Sequence, residues 1–109
     1  MSQENFAYTT FNFSLPKGLL DDRGECHREG VMRSTTGKDE IILQQDNRCW
    51  ENPSYGLLVR LSQVIVRVGE LTQITPELLE GLFLLDWQYL LNFYNSINPP
   101  EAALSLEGE

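Results

Sequence analysis

Basic residues are scarce in this chain: 8 Lys and Arg stand against 16 Asp and Glu, a net charge of −8. Residues 51–109 hold only Arg60 and Arg67 against eight acids, which leaves that half at −6. Such a field repels phosphate backbones and anionic lipid, and so weighs against nucleic acid or a membrane surface as the partner. Histidine occurs once, at His27, so a Ser–His–Asp or Cys–His device would have to use it. On a strand Cys26 points to the face opposite His27, which makes no neighbouring dyad and leaves His27 as a solvent-facing strand residue. The two cysteines, Cys26 and Cys49, have no CxxC spacing, and with His27 they lack a fourth soft ligand, so no metal site is expected. Asp21, Asp22 and Glu25 lack the spacing of a calcium loop and read as a charged turn. No glycine pattern of the Walker or Rossmann type is present, and no cofactor is expected.

Long apolar runs are missing as well. Glu80, Asp86, Gln88 and Asn92 interrupt the best candidate for a membrane span. Met1 to Asn5 has no basic residue and no apolar run after it, so no signal peptide is expected. The expected compartment is the cytoplasm, with both thiols reduced.

The 109 residues suit one domain with a single modest core, and 41% apolar content is that of a globular chain. Phe11, Phe13 and Leu15 alternate with Thr10, Asn12 and Ser14, the period of a half-buried strand. Pro16-Lys17-Gly18 should break the ladder as a bulge, before Leu19-Leu20 resumes it. Asp21 to Gly24 has the residues of a type I turn, and Cys26 to Ser34 returns as the second strand of a hairpin over about 10–34. Thr36-Gly37-Lys38-Asp39 reads as a capping box for a helix over about 37–46 that carries Ile41, Ile42 and Leu43. Asn52-Pro53 opens a second helix, expected over 53–68 and stopped by Gly69, with Leu57, Leu58, Leu61, Val64, Ile65 and Val68 on its apolar face. Thr75-Pro76 opens a third over 76–97. The fold class is therefore α+β: an N-terminal β-hairpin packed on two to three C-terminal helices, the last two an antiparallel pair. This single domain spans 1–98, and 99–109 reads as a disordered acidic tail.

The third helix is apolar over more of its surface than one buried face requires. Leu78, Leu82, Leu85, Tyr89 and Phe93 fall together on a helical wheel, with Leu79, Phe83, Leu90 and Ile97 beside them, over an arc of roughly 200°. Leu84, Trp87, Leu91 and Tyr94 form a second seam on its flank. That seam is either core or a face for an amphipathic partner helix, since Trp and Tyr are favoured anchors. Homodimerisation through it would cover it equally well. Asp86 lands inside the apolar arc, where an unpaired carboxylate costs several kcal/mol. It is expected to be a buried structural carboxylate, paired with Arg33, Arg60 or Arg67, or capped. No other residue set looks like chemistry, so the chain reads as a binding protein and not an enzyme.

A longer pattern runs through these pieces. Leu15-Pro16-Lys17-Gly18, Asp22, Gly24, His27-Arg28-Glu29, Met32-Arg33, Thr36-Gly37 and Asp39-Glu40 occur in order, followed by Asn52-Pro53 with Tyr55 and Arg67-Val68-Gly69. Ile74-Thr75-Pro76, Asp86, Tyr89-Leu90, Tyr94 and Ile97-Asn98 complete it. Together they resemble the small tail assembly and baseplate-hub assembly chaperones of contractile-tailed bacteriophages and of phage-derived contractile injection systems. The resemblance spans roughly residues 13 to 98. It implies a non-enzymatic helper that holds a protein partner, such as a hub or tape-measure component, until assembly. A minor structural subunit kept in the baseplate or tail is the alternative it implies.

Overall fold

The computed structural model describes residues 9–98. Strands β1 (Thr10–Leu20) and β2 (Cys26–Arg33) form the antiparallel hairpin, and β3 (Ile65–Val68) adds to the far side of β2, giving the order β1-β2-β3. The turn between β1 and β2 closes through the Gly24 N–H to the Asp21 carbonyl. Phe13 faces Gly30 across the hairpin, where a Cβ would overlap the Phe13 ring. The ladder jumps from Ser14–Glu29 to Leu19–His27, so Leu15 to Gly18 bulge out opposite Arg28. Gly18 has φ 112°, and a side chain there would also meet the Cys26 sulfur.

Helix α1 (Gly37–Gln44) begins in a complete capping box between Thr36 and Asp39. Asp39 also takes a bidentate contact from Arg33, at 2.8 and 2.9 Å, which ties α1 to β2. Arg33 reaches onward to the Gln63 carbonyl at 2.8 Å. Helix α2 (Asn47–Glu51) is a short turn capped by Asp46. Helix α3 (Pro53–Val64) starts at the Asn52 cap and first-turn Pro53.

Two helices differ from the sequence expectation. The one expected over 53–68 stops at Val64, because Ile65 to Val68 leave it and pair with β2. Ile65, Val66 and Val68 are β-branched and prefer strand geometry, and the open edge of β2 supplies the hydrogen-bond partners. Gly69, at φ 58°, ends this strand and not a helix. The helix expected over 76–97 is two: α4 (Pro76–Leu79) and α5 (Leu84–Ile97). Glycine inside a helix costs about 1 kcal/mol relative to alanine, and Gly81 lies in the break. The Gly81 and Leu82 amides close turns onto Leu78 and Leu79 instead of continuing α4.

The core lies between one face of the sheet and the helices. Phe13, Leu15, Leu19, Met32, Ile65 and Val68 of the sheet meet Leu61 and Val64 of α3, Leu79 of α4 and Leu90 of α5. Helix α5 packs mainly on β1, and its link to α3 includes the hydrogen bond of Arg60 to the Tyr94 hydroxyl. No described helix is long and apolar enough to cross a membrane. The segment 99–109, read as a disordered tail, lies outside the described residues.

Candidate protein-binding surface

The bulge in β1 leaves the Lys17 and Gly18 N–H groups without strand partners, and buried amides must find acceptors. Asp86 supplies them. It is the third residue of α5, and its two oxygens each accept one of these amides at 2.8 Å. The side chain is fully buried. A carboxylate in a first helical turn also meets the positive end of the helix dipole. One turn further on, the Tyr89 hydroxyl accepts the Ser14 N–H at 3.2 Å. Helix α5 therefore covers the outer edge of β1 with side chains where another strand could have paired. The sequence suggested Arg33, Arg60 or Arg67, or a cap, for Asp86; it accepts backbone amides, while Arg33 holds Asp39 and Arg60 holds Glu40.

This anchor fixes the start of α5, and the residues beside it point away from the core. Leu84 is 71% exposed, Leu85 56% and Phe83 41%. The Lys17 ammonium rests 4.7 Å above the Phe83 ring. Of the seam expected to bind a partner, Leu84 alone is strongly exposed; Trp87, Leu91 and Tyr94 are partly buried against the core. Leu84 and Trp87 line a groove of about 400 Å³ between α3, α4 and α5. Tyr55, Leu58, Leu79 and Leu82 complete its apolar lining, and Glu80 stands among them. Arg48 bridges α2 to this rim, bonding Asp46, Glu77 and the Tyr55 hydroxyl.

A second apolar patch escaped the sequence reading. Trp50 is 74% exposed, with its indole N–H donating to the Gln44 carbonyl at 2.6 Å. On α1, Ile41 and Ile42 are exposed too, and only Leu43 of the three apolar residues there is buried. The available signal was the poor amphipathicity of α1, which places two large β-branched residues outside any single buried stripe.

His27 differs from its expected solvent-facing position. Its ring is 10% exposed, and Nε2 sits 2.9 Å from Asp21 Oδ2. That contact, with the Glu25 and Arg23 amides, holds the Asp21 carboxyl at about 2. Asp21, Glu25 and His27 bring their ligand atoms within 4.8 Å of one another. Asp21 Oδ1, however, accepts the Arg23 and Glu25 amides, so this carboxylate serves the turn. Cys26 turns the other way, with its thiol on the Lys17 carbonyl. Set against family models, curated proteins and solved structures, the chain matches none of them.

Proposed function

We propose that this chain is a non-enzymatic assembly chaperone that binds a hub or tape-measure type protein during construction of a phage-like contractile tail or injection system. The observation that carries the reading is an apolar corner, Phe83 to Leu85, held outward on a turn that Asp86 anchors. Large apolar groups left in water on a well-fixed turn suit protein docking. The resemblance over residues 13 to 98 supplies the kind of partner. Two of its distant pieces, Leu15 to Gly18 and Asp86 with Tyr89, meet at the β1 bulge, which gives those residue types a shared structural reason. The acidic charge keeps such a surface in solution, and the cytoplasm of a bacterial or phage-infected cell is the proposed compartment.

The separate patch at Trp50 favours a second reading, a minor subunit retained between neighbours in the particle. Tagged protein recovered from the native host separates the two. One or two tail proteins without sheath or tube mark a chaperone; the whole particle set at fixed stoichiometry marks a subunit. Recovery of no tail protein would end both.

A further inference from the structure

The groove beside the apolar corner has a chemistry of its own. Its lining is mostly leucine and aromatic, with Asn52 and Ser54 at one side, and the charge on and around it is acidic: Glu80 belongs to the lining, and Glu77 contacts the hydroxyl of Tyr55. Arg48, the cation beside them, is held by Asp46 at 2.9 Å and Glu77 at 3.1 Å. Partial burial pushes the Tyr55 phenol up, and both Glu77 and Glu80 add to that push against Arg48.

We propose that this groove takes an amphipathic helical segment of the partner, with apolar side chains at i, i+3 or i+4 spacing flanked by Lys or Arg. The inference rests on the protein-binding reading and names the partner's chemistry. Charge complementarity carries it, because a cationic flank meets Glu80 in the lining and Glu77 beside Tyr55. A second copy of this chain would bring the same acidic rim against itself. The chain's own C-terminal segment carries Glu101, Glu107 and Glu109, and is opposed in the same way. An added strand is disfavoured, since Tyr89 and Asp86 already take the outer amides of β1 at Ser14, Lys17 and Gly18.

Two synthetic peptides of about 16 residues, long enough to fold on a surface, test this by calorimetry with the full-length protein. Both carry Leu at i, i+3, i+4 and i+7; one fills the remaining positions with Lys, the other with Glu. At about 0.15 M salt the Lys peptide should bind at least roughly tenfold tighter. Glu80→Lys should weaken that peptide about threefold or more, the order of one rim charge reversed. Leu84→Asp should weaken it at least about tenfold. Both positions are exposed, so circular dichroism and thermal melting should match the parent protein.

Equal affinity for the two peptides overturns the proposal. So does Lys-peptide binding that survives Leu84→Asp, which would mark diffuse attraction to an acidic protein. Absence of binding overturns it, as does a dimer in sedimentation that Leu84→Asp dissolves, since a second copy then fills the groove. The chaperone reading fails separately, by loss of tail proteins from the host recovery. A flat peptide titration beside retained tail proteins removes only the basic helix.

Discussion

Asp86 and Leu84 occupy the same first turn of α5 and meet opposite environments. The carboxylate has no exposed surface, whereas the leucine two residues earlier is 71% exposed. This inverts the usual sorting of polar and apolar side chains. The inversion follows from the bulge in β1, whose Lys17 and Gly18 amides both donate to the buried Asp86 carboxylate. Once Asp86 turns inward to meet them, the neighbouring Phe83, Leu84 and Leu85 are carried outward. Polar groups thus specify the position of this turn, and its apolar groups are left for something else.

Removing the anchor should have the largest effect. Asp86→Ala leaves the Lys17 and Gly18 amides without their acceptor and should cost about 3–5 kcal/mol, read from the urea midpoint. A change within about 0.5 kcal/mol, typical of surface sites, would place Asp86 outside the account of the turn. Trp87 comes next. It packs against the core, so Trp87→Ala should lose about 2–4 kcal/mol, below the range for a fully buried tryptophan's upper end. A Trp87 and Tyr94 double replacement is therefore a poor probe of binding alone, although both belong to the seam.

The Arg33–Asp39 pair offers a contrast in pH dependence. Arg33 holds the Asp39 carboxyl at about 2, below its ordinary 3.8. A folded-state value lowered in this way stabilises the protein above the unfolded value, and that contribution is lost as pH falls through the folded one. Stability should decline between about pH 4 and 2, by about 2 kcal/mol from this group. Asp39→Asn should shrink the decline without abolishing it, because Asp21 is also held at about 2 and titrates in the same window. Melting curves across that range check the sign. The smallest stability effect belongs to the corner itself: Leu84→Ser with Leu85→Ser should stay within about 0.5 kcal/mol per site.

What the sequence made legible was mostly local. The hairpin, the Pro16 to Gly18 bulge, the Thr36 capping box and the Asn52-Pro53 start all rest on neighbours within a few positions. Strand β3 was illegible for the opposite reason. Ile65 and Val68 continue the helical face of α3, and only the distant open edge of β2 draws them into the sheet. The break between α4 and α5 was masked by Leu82, Leu84 and Leu85, which keep a helical wheel apolar across Gly81. Asp86 stood out as a misplaced charge on that wheel. Its partners could not be read, because they are amides released by a bulge 68 and 69 residues away. The seam was legible as apolar but not as divided, with Leu84 outward and Trp87, Leu91 and Tyr94 against the core.

The central claim is that the exposed corner, and not the packed remainder of the seam, captures a tail protein. The direct measurement is paired recovery from the native host, with tagged parent protein and the Leu84→Ser, Leu85→Ser double variant at equal folded amounts. The account predicts one or two tail components with the parent and their loss with the variant. The same components recovered equally by both would contradict it.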